Sequence, residues 1–406
     1  MKKIASALVA LTLVGCGVTP SQLDAPKSLK TGMSLQEFRA DGISKKRVMV
    51  SFRTKNVDLK SFAARQHVVV EKYLKGISSA ILTIPAGSAS EDLLARLKSD
   101  KTVASAEADR FVKLDDVTVN DPQRAKQYAL DKVMANQAWE KNQGEEIKIA
   151  IVDSGVDMTH PDLAEKLLTG VNTVEERNPP KDDVGHGTHV AGIAAAIANN
   201  GVGIAGMAPK AKIIPVKVLG ASSGSAASIA AGIIWAADQG ADVMNMSLGM
   251  YETSEVVEKA VRYAIDEKNV VIVATMGNDN IERKRYPAAY PGVIAVGSTD
   301  AKDLKSTFSN FGDWIAVSAP GTAILSTFPT YPVSISGTQG YTSLSGTSMA
   351  APLVAGLAAL IRGQKKGATP AQVKKILQDS ADDLGTPGFD KQFGFGRVNA
   401  LKALSL

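Results

Sequence analysis

Residues 147–153 read IKIAIVD, a run of apolar, mostly β-branched side chains that ends in an aspartate. Similar runs recur further along the chain, and helical segments separate several of them. The runs occupy residues 211–219, 241–247, 269–276 and 292–298, with helical segments at 225–239 and 254–268. Strands that are almost continuously apolar and alternate with helices are typical of a parallel sheet covered on both faces. We therefore predict an α/β fold from about residue 125 onward.

The composition is that of a globular protein and argues against some classes of function. The chain has 406 residues, 45% of them hydrophobic and 21% charged, which is enough for a large core and a second, smaller domain. The formal net charge of +5 includes Lys2 and Lys3, and a charge this small does not indicate binding to nucleic acid. Neither GxGxxG nor GxxxxGK(S/T) follows a predicted strand, so a nucleotide-binding protein is not expected.

The N-terminus reads MKKIASALVALTLVGCG, in which two lysines precede an apolar run too short to span a bilayer. The run ends in LVGC, which resembles the lipobox of bacterial lipoprotein signal peptides. We predict that residues 1–15 are a signal peptide and that Cys16, the only cysteine, is lipidated. An ordinary signal peptide that contains a cysteine is the alternative. Either interpretation predicts export.

Residues 16–45 are rich in Ser, Lys, Pro and Gly, and we interpret them as a tether. Residues 46–114 have the order strand, helix, strand, strand, helix, strand, which predicts a small α+β domain of the ferredoxin-like type. Within it, Ser90 is expected to cap the second helix. This segment contains no cluster of catalytic residue types.

Three polar residues stand at predicted element ends, where ligands bind in parallel α/β sheets. Asp153 ends a strand, His186 follows Gly185 before a helix of small residues, and Ser348 precedes an apolar helix. Two of them have a simpler explanation: Asp153 as a polar strand end and Ser348 as a helix cap. His189 is interpreted as a packed histidine. A metal bound by His186 and His189 with Asp182 or Asp183 is a weaker alternative, because no recognised ligand spacing supports it.

Three segments in this order give a specific resemblance. IAIVDSGVD at 149–157, GHGTHVAGIAAA at 185–196 and LSGTSMAAPLVAG at 344–356 resemble the signatures of subtilisin-like serine proteases, in particular the thermitase-like branch. The resemblance implies a three-layer fold with a mainly parallel sheet and a catalytic domain at 115–406. It also implies that residues 46–114 are an inhibitory propeptide, so that the chain is made as a self-processing zymogen cleaved near Leu114 to Asn120.

The resemblance assigns the chemistry of a secreted serine endopeptidase with an acyl-enzyme intermediate. Ser348 would be the nucleophile, His186 the general base and acid, and Asp153 the group that orients the imidazole. Asn278 would stabilise the oxyanion together with the Ser348 backbone N–H. The rival hypothesis is an inactive member of the same fold that binds peptides without cleaving them.

The resemblance also implies where the substrate binds. The residues carried over are Ser247, Leu248 and Gly249 on one wall of the pocket for the P1 side chain, Thr275, Met276 and Gly277 on the other, and Ser223, Gly224 and Ser225 on a second substrate-pairing edge. Thr275 and Met276 stand where the family usually has alanines, and could narrow the pocket. Since no acidic residue is among those matched, we expect an apolar but tolerant P1 preference.

A structural calcium ion is the remaining implication of the resemblance, with no cofactor for catalysis. The ligands would be Asp121, Asp162 and Asn200 with the carbonyl oxygens of Ala198, Val202 and Ile204. Oxygen ligands of this kind suit calcium, whereas turn-forming Asp and Asn residues are the alternative. The expected partners are protein substrates and the chain's own propeptide. We expect a monomer, anchored through Cys16 as a precursor and extracellular or periplasmic after maturation.

Overall fold

The computed structural model describes residues 43–110, 119–221 and 224–406, which fall into two compact units. The predicted signal peptide, Cys16, almost all of the tether, Ser223 and most of the expected cleavage segment lie outside the described residues. Among the residues described, no helix is both long enough and apolar enough to cross a membrane.

The first unit has the predicted element order. It contains β1 (Ile43–Phe52), α1 (Leu59–Gln66), β2 (Val69–Leu74), β3 (Ser79–Thr83), α2 (Ser90–Ser99) and β4 (Val103–Arg110). The sheet order is β2-β3-β1-β4 and its pairs are antiparallel, with apolar side chains such as Phe62 and Leu97 buried beneath it. The expected Ser90 cap is wrong: the cap position is Ala89, and the Ser90 hydroxyl donates to Glu91 instead.

The second unit is built on a seven-stranded sheet in the order β11-β10-β9-β8-β5-β7-β6, with parallel pairing throughout. Its strands are β5 (Lys148–Asp153), β6 (Val171–Asn172), β7 (Lys212–Lys217), β8 (Val243–Met246), β9 (Val271–Thr275), β10 (Ile294–Thr299) and β11 (Val317–Pro320). An antiparallel pair, β12 (Ile324–Phe328) and β13 (Gly340–Leu344), lies outside this sheet. The predicted α/β fold with a mainly parallel sheet is confirmed.

Helices cover both faces of this sheet. They are α3 (Tyr128–Lys132), α4 (Ala135–Trp139), α5 (His186–Ala195), α6 (Ala226–Asp238), α7 (Glu255–Arg262), α8 (Thr347–Gln364), α9 (Pro370–Asp379) and α10 (Ala400–Ala403). In β5, Ile149 and Ile151 pack in the cluster that contains α5 and α8, whereas Ala150 and Val152 pack in the cluster that contains α6 and α7. This alternation explains why β5 is apolar at nearly every position.

Helix α8 lies in the middle of one layer. Nearly all of its side chains are buried, including Thr347 and Ser348 in its first turn. It packs on α5 and on the central strands β8, β9 and β10. A helix held on so many sides has little freedom to move, so the residues of its first turn have fixed positions relative to the ends of those strands.

Candidate active site

Asp153 and His186 meet at the carboxyl end of the sheet. Asp153 is the last residue of β5 and is completely buried, and His186 is the first residue of α5. The His186 ring Nδ1 and Asp153 Oδ1 are 2.8 Å apart, and the Ser154 N–H donates to the same oxygen at 2.7 Å. Asp153 Oδ2 has no hydrogen-bond partner among the described residues. The negative charge of Asp153 therefore interacts mainly with the His186 imidazole.

The environment of His186 favours its protonated form. Burial lowers the pKa of His186, but the charge of Asp153, its hydrogen bond and the charge of Asp182 together raise the pKa above the ordinary value of 6.5. A histidine of this kind can accept a proton and hold it as an imidazolium stabilised by the carboxylate.

Asp182 holds the loop before α5 in place, a role that the sequence did not indicate. Its carboxylate accepts hydrogen bonds from the Ser154 hydroxyl at 2.9 Å and from the backbone of Val184, Gly185 and Thr188. Burial raises the pKa of Asp182 in spite of these bonds. Because the carboxylate ties the end of β5 to the start of α5, it positions His186. The motif GHGTH marked the loop, but nothing in it identified this anchor.

The metal alternative at the histidines finds no support. His189 lies three residues after His186, and its Nε2 is 3.1 Å from the Thr342 carbonyl oxygen. Burial and the neighbouring His186 lower the pKa of His189 to about 3, so the ring is neutral and packed. Asp183 pairs with Lys217 at 3.0 Å. In the part of the chain that the structure describes, no three acidic, histidine or cysteine side chains are grouped to hold a metal.

Ser348 is the second residue of α8 and is 9% exposed. Its hydroxyl donates to the Ser247 carbonyl oxygen at 3.3 Å, and the Ser247 hydroxyl donates to the Ser348 carbonyl oxygen at 2.9 Å. No hydrogen bond joins the described side chains of Ser348 and His186. The interpretation of Ser348 as a helix cap is wrong, since Gly346 occupies the cap position and no side chain caps the helix. At this position the Ser348 N–H has no acceptor within the helix.

Asn278 lies beside the first turn of α8. Its Oδ1 accepts hydrogen bonds from both the backbone N–H and the hydroxyl of Thr347, each at 2.8 Å. Since the amide oxygen is held in this way, the NH2 group remains as a donor. A Cβ atom at Gly346 would lie 3.3 Å from that nitrogen, so the glycine leaves the approach to the amide open. Thr347 therefore orients Asn278, a role that sequence reasoning missed.

A cleft of about 520 Å³ runs past His186. Two sets of sequence-predicted residues line it: Ser247, Leu248 and Gly249 together with Gly224 and Ser225. The Ser225 side chain also caps α6 by accepting the Ser228 N–H at 3.0 Å. The cleft joins the histidine to the Ser247 carbonyl that accepts the Ser348 hydroxyl, so these residues share one site.

Thr275 and Met276 do not line the cleft. The Thr275 hydroxyl bonds to the Thr347 hydroxyl, and the Met276 side chain is wholly buried in the core. The expectation that they narrow the pocket is therefore not met, because the end of β9 turns both side chains inward. Arg285 lines the cleft instead. No motif pointed to this arginine.

Asp121, Asp162 and Asn200 lie together beyond the end of α5. The Asn200 backbone N–H donates to Asp121 at 3.3 Å, and its side-chain amide donates to Asp162 at 2.7 Å. The Ile204 N–H donates to Asp162 at 3.0 Å, and the Val202 N–H to Asn200 Oδ1 at 2.9 Å. The structure thus brings together the three side chains predicted for calcium from three separate segments, and Asn200 shares the loop after α5 with Ala198.

The negative charges of Asp121 and Asp162 are suited to bind a cation. Burial raises the pKa of Asp121, backbone hydrogen bonds lower it, and the charge of Asp162 raises it further, so the pKa is raised overall. In the described residues, neither carboxylate forms an ion pair with a Lys or Arg. A Cβ at Gly203 would lie 2.2 Å from Asp162 Oδ2, so only glycine leaves this carboxylate room. Two carboxylates beside an amide side chain belong to the ligand class of calcium.

Comparison with known proteins identifies the family of this chain. The Subtilase family profile matches residues 144–396. Thermitase of Thermoactinomyces vulgaris is 46% identical over 71% of this chain and 99% of its own length. Minor extracellular protease Epr of Bacillus subtilis is 36% identical over 88% of this chain, which spans 54% of that longer protein.

Solved structures are similar as well. Fervidolysin from Fervidobacterium pennivorans, described as a keratinolytic enzyme related to subtilisin, superposes with a TM-score of 0.66 at 29% identity, covering 91% of this chain and 62% of fervidolysin. A protease from Pseudoalteromonas arctica gives the same TM-score at 32% identity, over 71% of this chain and 99% of that protein. The parallel sheet and the profile that spans most of the second unit lead to one conclusion: this chain belongs to the subtilase family of serine endopeptidases.

Proposed function

We propose that Ser348, His186 and Asp153 form the catalytic triad of this protease. The observation that carries the proposal is the 2.8 Å contact between His186 Nδ1 and a buried carboxylate that pairs with no Lys or Arg among the described residues. The Ser348 hydroxyl rotates from the Ser247 carbonyl toward His186 Nε2 when substrate binds. The imidazole then takes the proton as the serine oxygen attacks the peptide carbonyl carbon.

The tetrahedral intermediate carries a negative charge on the former carbonyl oxygen. The Asn278 NH2 group and the Ser348 N–H donate to that oxygen, because neither donor has its capacity used by the protein fold. His186 passes its proton to the leaving amine, which departs and leaves an acyl-enzyme. Water then attacks the ester with His186 again acting as base, and Ser348 is regenerated.

An inactive peptide-binding protein is the second candidate, and one observation favours it: the Ser348 hydroxyl donates to Ser247 rather than to His186. Labelling with a fluorophosphonate probe distinguishes the two, because the probe reacts only with an activated serine. We expect the wild-type protein to be labelled and to cleave an unstructured protein substrate.

Ser348→Ala is expected to lose both labelling and cleavage while it remains folded. The matched control is Ser343→Ala, an exposed serine on β13, which should behave as the wild type. A wild-type protein that resists the probe supports the binding candidate. Cleavage by Ser348→Ala within tenfold of the wild type overturns the assignment of the nucleophile.

We also propose that the first unit is an inhibitory propeptide and that the chain is exported with a lipid on Cys16. The propeptide is supported by a compact β-α-β-β-α-β unit that precedes the catalytic unit along the chain and carries no catalytic cluster among its described residues. The lipid is supported by the sequence LVGC, which ends an apolar run at Cys16. Self-cleavage between Leu114 and Asn120 would leave the lipid on the propeptide and free the protease.

Self-processing is tested by N-terminal sequencing and membrane fractionation. We expect wild-type protein to yield a soluble form that begins between Asp115 and Asp121. Ser348→Ala should remain as a full-length precursor in the membrane fraction. An intact wild-type chain beginning at Cys16, or equally fast processing of the variant, would contradict self-maturation.

A structural calcium ion at Asp121, Asp162 and Asn200 is also part of the proposal. The ion would offset the charge of the two carboxylates and tie the loop after α5 to the segment before α3. It takes no part in peptide hydrolysis.

A further inference from the structure

Arg285 lies across the pocket in which the P1 side chain of a substrate is expected. Its Nη2 donates to the Gly249 carbonyl oxygen at 3.0 Å. A Cβ at Gly249 would lie 2.9 Å from Arg285 Nε, and a Cβ at Gly277 would lie 2.9 Å from Arg285 Nη1. The guanidinium therefore lies between Gly249, which lines the cleft, and Gly277, which was predicted for the opposite wall but does not line the cleft itself.

The side chain is held in this position by its surroundings. The guanidinium carbon lies 5.8 Å from the centre of the Tyr251 ring, a distance at which a cation is attracted to an aromatic face. The hydroxyl of Tyr251 bonds in turn to Asp279, and its ring also contacts Arg283. Arg285 is half-buried, so its head group is constrained rather than free in solvent.

The charge of Arg285 has no counter-charge among the described residues. Arg283, two residues earlier, pairs with Glu252 at 3.2 Å, but no described carboxylate lies within ion-pair distance of Arg285. Its Nε is buried and has no hydrogen-bond partner in the described part of the chain. That nitrogen is enclosed, but a guanidinium carries five N–H donors, and the hydrogen bond that Arg285 makes to the described residues is the one from Nη2 to Gly249. The other N–H groups of Nη1 and Nη2 therefore remain on the side chain that lines the cleft, where they are suited to bind a carboxylate.

The rest of the cleft does not compete for this role. Of the described residues that line it, only Arg285 carries a permanent charge, and the others are small, apolar or hydroxyl-bearing apart from His186. A lysine or arginine at P1 would meet like charge, and a large apolar side chain would cover the unpaired donors without satisfying them.

We propose that Arg285 determines specificity and selects substrates with glutamate or aspartate at P1. The side-chain carboxylate of the substrate would accept hydrogen bonds from the guanidinium, in the geometry that favours paired contacts. This inference rests on the proposed function, since it names the substrate class of the same site. It replaces the apolar P1 preference expected from sequence, which considered only the matched wall residues.

The experiment compares five peptide anilides that differ only at P1, namely Glu, Gln, Leu, Ala and Lys. Glu and Gln have the same shape, so their ratio reports charge alone. We expect the wild-type kcat/KM for the Glu peptide to exceed that for the Gln peptide at least tenfold. Arg285→Met should reduce this ratio to about one, and Arg285→Lys should retain part of it.

Arg262→Met is the matched control, because Arg262 is an exposed residue on α7 that pairs with Asp266. It should keep the wild-type ratio. Uptake of the fluorophosphonate probe by each variant shows that the nucleophile and the fold are intact. A labelled wild type that prefers Leu or Ala, or a ratio unchanged in Arg285→Met, overturns the inference alone. A wild type that is neither labelled nor active overturns the proposed function and the inference with it.

Discussion

Helix α5 has buried carboxylates near both ends. The carboxylate at its start lies beside a group that can become positive, whereas the two beyond its end lie beside each other. At its start, Asp153 lies beside His186, which can carry a positive charge, and the pKa of His186 is raised. Beyond its end, Asp121 lies near Asp162, and the pKa of Asp121 is raised by burial and by that second negative charge. Asp153 therefore has a partner that binds a proton, whereas Asp121 and Asp162 repel each other.

This difference separates two uses of a buried acid. Asp153 stabilises a charge that appears and disappears on His186, so its effect belongs to catalysis. Among the described residues, Asp121 and Asp162 form no ion pair with a lysine or arginine, and the Tyr341 hydroxyl that donates to Asp162 is neutral, so a permanent cation is what would stabilise them. Mutations of Asp153 should alter activity at nearly constant stability. Mutations of Asp121 or Asp162 should alter stability at nearly constant activity.

The largest expected effect comes from Asp153→Asn. Removing the carboxylate charge should lower kcat by about 10⁴-fold, because the imidazole loses its orientation and the stabilisation of its charged form. The control is Asp313→Asn, an exposed surface residue, which should leave kcat unchanged. A loss of less than tenfold, measured with a peptide anilide, would remove Asp153 from the triad.

The same variant has a defined effect on pH dependence. His186 acts as a base only when neutral, so wild-type kcat/KM should fall as the pH drops through a value above 6.5. Because Asp153 raises that pKa, residual activity of Asp153→Asn should persist to lower pH. If the activity of Asp153→Asn falls at the same acidic pH as that of the wild type, a group other than His186 controls the decrease.

Asn278→Ala should have the next largest effect. The loss of one oxyanion donor typically lowers kcat by about 10² to 10³-fold with little change in KM. Asn178→Ala, at an exposed loop position, is the control. Thr347→Val should produce a smaller loss of the same kind, since it removes one of the two hydrogen bonds that hold the Asn278 amide and keeps the one from the backbone N–H. A rise in KM at constant kcat would instead place Asn278 in ground-state binding.

The smallest expected effect is at Asp121 and Asp162, and it changes the free energy of unfolding and not the rate of hydrolysis. If calcium binds there, a concentration a hundredfold above its Kd stabilises the folded chain by about 2.7 kcal/mol. Wild-type melting should therefore rise with calcium and fall with chelator. Asp121→Asn should melt at the same temperature in both, with kcat close to that of the wild type.

The direction in which Asp121→Asn changes stability without a metal can also be predicted. A carboxyl group whose pKa is raised in the folded state destabilises the fold above that pKa, and the penalty disappears as the pH falls through it. In chelator at neutral pH, Asp121→Asn should therefore be at least as stable as the wild type. Identical wild-type melting with chelator and with millimolar calcium would argue against the ion.

Local patterns determined much of this protein. The apolar runs predicted the strands of the parallel sheet, because a strand covered on both faces must be apolar at successive positions, as Ile149 to Val152 are. The order of strands and helices in the first unit followed from periodicity in the same way. The three signature segments supplied Asp153, His186 and Ser348 as candidates, since each stands at an element end that sequence alone can locate.

Only the tertiary structure decided which side chains face the cleft. Thr275 and Met276 turn into the core, whereas Arg285 reaches Gly249 from 36 positions further along the chain. Asp182 anchors the His186 loop through donors from Ser154, directly after β5, and from Thr188 in α5. The physical reason is that the direction of a side chain beyond a strand end depends on packing between distant segments, and no local periodicity encodes that packing.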